Sequence, residues 1–206
     1  MVATVVAVLG GYLLGSVAFA VVVSRWLGLR DPRLYGSGNP GATNVLRSGS
    51  KAAAALTLAG DALKGALAVL LARHLGAGYG VSVAAVAVTG LAAFLGHLFP
   101  VFFRFQGGKG VATFLGVAVA LEPRLGLGCC AVWLAVALAS RFASLASITA
   151  AAAAPLLWLL ADAGTAEVIV LVTMAALLLW RHRRNIENLR AGRERRIGQP
   201  PAPSPE

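Results

Sequence analysis

The sequence predicts an all-α integral membrane protein, and its composition, its sparse charge and its long apolar runs all support that prediction. Hydrophobic residues make up 58% of the 206-residue chain and charged residues only 13%, whereas a soluble domain has about 25% charged residues. A chain of this size has too little interior to remove so much apolar surface from water. Lipid is therefore the solvent, and the apolar runs are candidate membrane-spanning helices.

Seven apolar runs follow one another along the chain. Residues 1–24 carry no charged side chain, and as one helix they measure about 36 Å, which is enough to cross a bilayer. No positively charged segment precedes this run, so it is interpreted as an uncleaved helix and not as a signal peptide. The other six runs are 52–72, 75–103, 110–121, 125–140, 142–161 and 168–180.

The run 110–121 is unusually short for a membrane span. As a helix it covers about 18 Å, less than the roughly 30 Å of the hydrocarbon core. It is either a half-span shielded by protein or a span extended by neighbouring uncharged residues. The prediction is about seven transmembrane helices, with five helices plus a re-entrant hairpin as the alternative. Both counts are odd, so the two termini lie on opposite sides of the membrane.

The basic residues indicate which side is which. All 18 lysines and arginines except Lys64, Arg73 and Arg124 fall on one face of the seven-helix arrangement. The positive-inside rule makes that face cytoplasmic, which places the N-terminus outside and the C-terminus inside. Residues 1–191 are predicted to form one polytopic membrane domain. Residues 192–206 are rich in proline and charge, and we expect a disordered cytoplasmic tail there.

The net charge of +10 indicates anionic partners. The basic residues lie between or after apolar runs and form no separate basic domain with interleaved aromatics, which argues against nucleic acid. Anionic lipid headgroups and an anionic small substrate are the better candidates. Cys129 and Cys130 are adjacent within an apolar run, a spacing that suits neither a disulfide framework nor a zinc site. No metal site is predicted.

Polar residues concentrate in three stretches, which we call the three polar islands. The first is 36–47, GSGNPGATNVLR, where glycines allow successive N–H groups to converge on an anion. Arg47 adds a forked cation suited to phosphate, and further side-chain donors come from Ser37, Asn39, Thr43 and Asn44. A plain turn between two spans uses the same residue types, so for this island alone both interpretations stay open.

The second polar island is 96–113, GHLFPVFFRFQGGKGVAT. Its GGKG turn opens an apolar helix and offers free N–H groups, the positive end of the helix dipole and the Lys109 ammonium together. The spacing is not that of a Walker A loop, so it predicts phosphate binding without ATP. The alternative is a flexible interfacial loop with a positive-inside lysine. His97, at the end of a run, is interpreted as a packing or helix-end residue.

The third polar island is 181–190, RHRRNIENLR. Spacing of three places His182 and Asn185 on one helix face. A basic cluster that stops translocation explains the arginines but not a histidine and an asparagine sharing a face. Together, the three islands predict a site for phosphate-bearing substrates at the cytoplasmic membrane boundary. Asp61 and Lys64 are spaced to pair within a span, which lowers the cost of burying either, and we interpret them as structural.

The three islands, in this order, resemble the signature motifs of the bacterial acyl-phosphate:glycerol-3-phosphate acyltransferase (PlsY) family, and the resemblance extends to Glu194. It implies transfer of a fatty acyl group from acyl phosphate to the 1-hydroxyl of glycerol 3-phosphate. The products are lysophosphatidic acid and phosphate, the first acylation of phospholipid synthesis in the bacterial inner membrane. It also implies that no metal or cofactor takes part.

The resemblance also implies roles for particular residues. Binding of glycerol 3-phosphate and catalysis are expected of Ser37, Arg47, Lys109, His182 and Asn185. Cradling of phosphate is expected of Gly38, Asn39, Thr43, Asn44, Gly107, Gly108 and Gly110. His182 is the candidate base, and the alternative is that a phosphate oxygen of the donor takes the hydroxyl proton. The oligomeric state stays open, with a monomer favoured.

A transporter of phosphate or a sugar phosphate is the alternative from another class. Transporters use broken helices with glycine-rich ends, and the short run 110–121 fits that pattern. Against it, the polar islands gather at one membrane face and no inverted repeat is visible in the sequence. A membrane scaffold that recruits partners through its basic tail would leave the first two islands unexplained.

Overall fold

The computed structural model describes residues 1–161 and 163–199, and every regular element in that part of the chain is helical. Its α-helices are α1 Val2–Gly15, α2 Phe19–Trp26, α3 Ala42–Val45, α4 Lys51–Ala77, α5 Val83–Leu98, α6 Val111–Leu121, α7 Pro123–Ser140, α8 Ala143–Leu160, α9 Thr165–Arg181 and α10 Arg183–Arg190. Short 3₁₀ turns lie at Pro32–Leu34, Leu46–Ser48 and Val101–Phe103. The predicted all-α class is confirmed.

Four segments are long and apolar enough to cross a membrane: α4, α7, α8 and Val83–Phe103. The count rises to six if each of the bent pairs α1–α2 and α9–α10 is one span. Helix α10 reads RRNIENLR, so we assign the last span to the 17 residues of α9, about the shortest length that crosses. Helix α6, with 11 residues, corresponds to the short run 110–121, the fourth of the seven predicted runs.

Apolar side chains cover the outside of the bundle as well as its interior. Leu138 is 72% exposed and Leu160 is 86% exposed, among many other exposed leucines and valines. Such a surface is stable against lipid tails and not against water. This surface, together with the candidate spans, identifies an integral membrane protein.

Helix α4 packs against five other helices of the bundle: α1, α2, α3, α5 and α6. Its approach to α6 is close, because a Cβ on Gly116 would collide with the Ala62 carbonyl oxygen. A core of fully buried large side chains joins α5, α8 and α9 to α6: Phe94, Phe114, Trp158, Leu171 and Met174.

The first span differs from the single straight helix that residues 1–24 predict. It breaks between α1 and α2, which are bent by 45° relative to each other. At the break, the Val17 carbonyl accepts a hydrogen bond from Lys64 Nζ at 2.7 Å instead of an N–H of its own helix. A side chain from α4 therefore satisfies the backbone group that the break releases.

Lys64 is buried together with two other ionisable groups. Its Nζ lies 2.8 Å from Asp61 Oδ1, so the pair predicted from the spacing forms. His97 Nδ1, from the end of α5, lies 3.4 Å from the same Asp61 oxygen. All three residues are more than nine-tenths buried. The Asp61–Lys64 pair thus connects α4 both to the break between α1 and α2 and to the end of α5.

We expect Lys64→Met to lower the apparent midpoint of thermal unfolding in detergent by several degrees. It leaves the Asp61 carboxylate buried without its cation and the Val17 carbonyl without its donor, a loss of about 3–5 kcal/mol for a broken buried pair. The double variant Asp61→Asn/Lys64→Met should unfold at a higher temperature than Lys64→Met alone. Lys51→Met, at the exposed start of the same helix, is the matched control. Equal midpoints for Lys64→Met and Lys51→Met would contradict this expectation.

Candidate active site

A cavity of about 480 Å³ lies where the three polar islands meet. It is lined by nine of the predicted site residues, namely Ser37, Asn39, Thr43, Asn44, Arg47, Lys109, Gly110, His182 and Asn185. Gly38, Gly107 and Gly108 are outside this lining. Leu58, Leu115 and Trp133 form an apolar part of the wall. The cavity thus joins a polar, cationic part to an apolar part.

The first island is folded around the side chain of Asn44, which is 2% exposed. Asn44 Oδ1 accepts hydrogen bonds from the Ser37 N–H at 3.0 Å and from Arg47 Nη1 at 3.2 Å. Its Nδ2 donates to the carbonyls of Pro32 at 2.7 Å and Tyr35 at 3.2 Å. The sequence predicts Asn44 as a donor to phosphate, but its donor atoms are already engaged. In the structure it holds the loop and orients Arg47.

The second island starts helix α6 at the cavity wall. Gly110 has φ +87° at the N-cap, and a Cβ there would collide with the Phe94 ring. Only glycine fits this conformation and this space without strain. The turn leaves the first N–H groups of α6 without helical partners, next to the Lys109 ammonium. This arrangement is suited to an anion.

The second and third islands are joined by a chain of hydrogen bonds. Lys109 Nζ donates to Asn185 Oδ1 at 2.6 Å, and Asn185 Nδ2 donates to Glu194 Oε1 at 2.7 Å. Ser144 Oγ, from α8, donates to the same Glu194 oxygen at 2.7 Å. The sequence does not predict Ser144 or Glu194 as site residues. Glu194 is the last residue of the stretch that resembles the family, and its only other signal in the sequence is an acid next to arginines on both sides. Ser144 carries no signal in its apolar run.

His182 lies at the break between α9 and α10, which are bent by 58°. Its Nδ1 is 2.9 Å from the Leu178 carbonyl oxygen. Because a carbonyl only accepts, Nδ1 carries the proton, and the neutral ring keeps a lone pair on Nε2. Burial, followed by the positive charges of Lys109 and Arg181, lowers the pKa of His182 to about 4. The imidazole is therefore neutral at neutral pH.

The cations at the cavity also lack counter-charge. Burial lowers the pKa of Lys109 to about 8; Glu194 opposes this shift, whereas Arg47 and Arg181 add to it. Burial and the nearby Arg195 likewise lower the pKa of Arg47 from its ordinary value. A bound anion would oppose each of these shifts, because an opposite charge favours the protonated form. The site is thus prepared for a ligand with negative charge.

Residues 192–199, which the sequence places in the disordered tail, lie against this site. The Ile197 N–H donates to the Arg141 carbonyl at 2.7 Å, and the Arg196 guanidinium lies 5.5 Å from the centre of the Phe142 ring. Arg195 and Gly198 line the cavity. The structured chain therefore continues past Ala191, up to Gln199. Residues 200–206 of the predicted tail lie outside the described residues.

A membrane-embedded helical bundle with a cationic cavity at one end, continuous with an apolar wall, defines a membrane protein that acts on phosphate-bearing, partly apolar molecules. Comparison with known proteins identifies the family. The family model described as glycerol-3-phosphate acyltransferase matches residues 5–192. The chain belongs to the glycerol-3-phosphate acyltransferase family, as the three motifs indicate.

Named relatives and solved structures agree with this assignment. A glycerol-3-phosphate acyltransferase of Ralstonia pickettii is 55% identical over 97% of this chain and 96% of its own length. One from Burkholderia thailandensis is 56% identical over 94% of this chain and 95% of its own length. The crystal structure of PlsY (YgiH), an integral membrane glycerol 3-phosphate acyltransferase, in its glycerol 3-phosphate form has a TM-score of 0.88 and 42% identity. The match covers 95% of this chain and 96% of the PlsY chain.

A second PlsY structure, in a lysophosphatidic acid form, has a TM-score of 0.86 at 42% identity, with 95% of each chain covered. With relatives this similar over their full length, the chain is an acyltransferase, and the transporter alternative loses its support.

Proposed function

We propose that this glycerol-3-phosphate acyltransferase takes its acyl group from an acyl phosphate and works at the cytoplasmic face of a bacterial inner membrane. The observation that carries the proposal is the composition of the cavity wall. Arg47 and Lys109 offer positive charge to two phosphate groups, and Leu58, Leu115 and Trp133 offer an apolar surface to an acyl chain. An acyl phosphate and glycerol 3-phosphate together need both kinds of wall.

The proposed orientation rests on charge at the two ends of the bundle. Arg47, Lys109 and Arg181 belong to the end with the cavity, whereas Arg73 donates to the Leu121 carbonyl at the other end, at 2.9 Å. The positive-inside rule favours the cavity end as the cytoplasmic one. Glycerol 3-phosphate would then enter from the cytoplasm and the acyl chain from the bilayer.

In the proposed reaction, the 1-hydroxyl oxygen of glycerol 3-phosphate attacks the acyl carbon of the donor. The carbon–oxygen bond to the phosphate breaks, and phosphate leaves as the ester forms. The donor is already activated, so much of the rate can come from holding the two substrates in line. Arg47 and Lys109 would neutralise phosphate charge as it develops on the leaving group. The Ser37 hydroxyl and the Asn185 amide, both at the cavity, would orient the substrates.

We assign His182 to orientation of the hydroxyl and not to its deprotonation. Its Nε2 lone pair can accept a hydrogen bond from the 1-hydroxyl, since Nδ1 is engaged by the Leu178 carbonyl. The pKa of His182 is about 4 in the empty site, chiefly because the ring is buried, and a ring that stays buried under the substrate remains a poor acceptor of a full proton. The hydroxyl proton would therefore pass to an oxygen of the departing phosphate.

The purified protein in detergent or lipid mesophase should release phosphate from palmitoyl phosphate only when glycerol 3-phosphate is present, and should form lysophosphatidic acid. Arg47→Ala should lower kcat/KM by about a hundredfold or more, because a buried phosphate charge loses its partner. Arg30→Ala, at an exposed arginine, is the matched control. Turnover with palmitoyl-CoA and none with palmitoyl phosphate would overturn the donor assignment.

The KM for glycerol 3-phosphate should rise as the pH increases through about 8, the pKa of Lys109 in the empty site. Below that pH the ammonium is charged and binds the phosphate dianion; above it, binding must first recover a proton. The Lys109→Arg side chain keeps its charge throughout this range, so its KM should hardly change with pH. At pH 7 its KM should be higher than that of the wild type, because the larger guanidinium does not reproduce the lysine geometry. Parallel pH profiles for the wild type and Lys109→Arg would show that another group titrates.

His182→Ala should retain measurable turnover, with kcat reduced by less than the roughly hundredfold that a general base contributes at minimum. It removes a hydrogen-bond acceptor and leaves the phosphate route for the proton intact. A loss of about a thousandfold or more, in a variant with the wild-type unfolding midpoint, would establish His182 as the base.

A further inference from the structure

Arg181 makes contacts that the proposed reaction does not use. It is the last residue of α9, and its guanidinium donates three hydrogen bonds to the glycine turn of the second island. Nε donates to the Gly108 carbonyl at 3.0 Å, and Nη2 donates to the carbonyls of Gly107 at 2.7 Å and Gly108 at 2.8 Å. Arg181 is not among the described residues that line the cavity.

The guanidinium is itself held in place. Its central carbon lies 5.9 Å from the centre of the Phe99 ring and 5.8 Å from that of Trp180, and the two rings are 6.3 Å apart. Cation–π contacts of this kind restrict a long side chain to one arrangement. The Arg181 guanidinium is therefore held in its hydrogen-bonding orientation before any substrate binds.

The turn is also held from its other side. The Gly108 N–H donates to the His97 carbonyl at 3.2 Å, and a Cβ on Gly108 would collide with the His97 ring. His97 is packed against the buried pair of α4 through Asp61. The Gly107–Gly108 peptides thus lie between Arg181 on α9 and His97 on α5.

Peptide geometry gives this arrangement a consequence for the cavity. The Gly108 carbonyl and the Lys109 N–H belong to one planar trans peptide and point in opposite directions. Because the carbonyl points at Arg181, the N–H points away from it. Lys109 and Gly110, unlike Arg181, line the cavity. Rotation of this peptide would remove the Lys109 N–H from its present direction and shift the ammonium that follows it.

We propose that Arg181 is a positioning residue for phosphate binding, which acts by fixing the Gly107 and Gly108 carbonyls so that the Lys109 amide and ammonium face the anion. This inference rests on the proposed function for its ligand, the phosphate of glycerol 3-phosphate. It differs from a general electrostatic role, because it requires a guanidinium that binds the Gly107 and Gly108 carbonyls together, and not only a positive charge.

The test compares Arg181→Lys with Arg184→Lys. Lysine keeps the charge but is a point donor that cannot reproduce the fork. Arg184 is exposed and lies three residues further on, in α10 beyond the bend, so it is the matched control. We expect Arg181→Lys to raise the KM for glycerol 3-phosphate by about tenfold or more, with a smaller change in kcat, and Arg184→Lys to behave as the wild type. Arg181→Ala should be at least as impaired as Arg181→Lys.

Hydrogen–deuterium exchange of peptides covering 105–112 gives a readout that does not need turnover. Exchange should be faster in Arg181→Lys than in the wild type, and unchanged in Arg184→Lys. Wild-type KM and wild-type exchange in Arg181→Lys would overturn the proposal, as would equal effects of the two lysine variants. If Arg181→Ala does not fold, the lysine pair decides alone. If the wild type itself fails to acylate glycerol 3-phosphate, the proposed function fails while the exchange comparison still tests the fork.

Discussion

The buried cation of Lys64 is the constraint on which much of this architecture depends. A charge at this depth is tolerated only with partners, and Lys64 finds them in the Asp61 carboxylate and the Val17 carbonyl. The second contact accompanies the 45° turn from α1 into α2, which leads to the first polar island. Through Asp61, the same cluster contacts His97, whose carbonyl accepts a hydrogen bond from Gly108 in the glycine turn of the second island. One ion pair in the bundle thereby fixes backbone at the membrane boundary.

The third island completes the site from α9 and α10. It brings more positive charge to a cavity that already holds Arg47 and Lys109, and like charges that lie close together repel each other. Two devices offset that repulsion. Glu194 is linked to Lys109 by hydrogen bonds through Asn185 and supplies negative charge. Arg181 donates its hydrogen bonds to the carbonyls of Gly107 and Gly108, whose dipoles stabilise its charge. The remaining excess of positive charge is what an incoming phosphate neutralises.

The sequence predicts the parts of this protein that local residue types determine. Apolar runs give the helices, and the length of α6 identifies the short span. The islands identify most of the cavity wall, including His182 and Asn185, although the helix breaks at His182. The break at Val17 has no local signal, because it depends on a lysine 47 residues away. Glu194 and Ser144 meet across 50 residues, and only the fold shows that Asn44 binds carbonyls.

The two shifted pKa values in the cavity have one physical origin, and it connects binding to chemistry. Lys109 at about 8 and His182 at about 4 both lie below their ordinary values, because they are buried among cations with little negative charge. A phosphate dianion in the cavity supplies that charge and raises both values. Lys109 then stays fully charged against the phosphate, and the His182 Nε2 becomes a better hydrogen-bond acceptor for the hydroxyl. The groups thus reach their working state when the substrate is bound, whereas in the empty cavity the His182 ring is neutral, with its one proton on Nδ1.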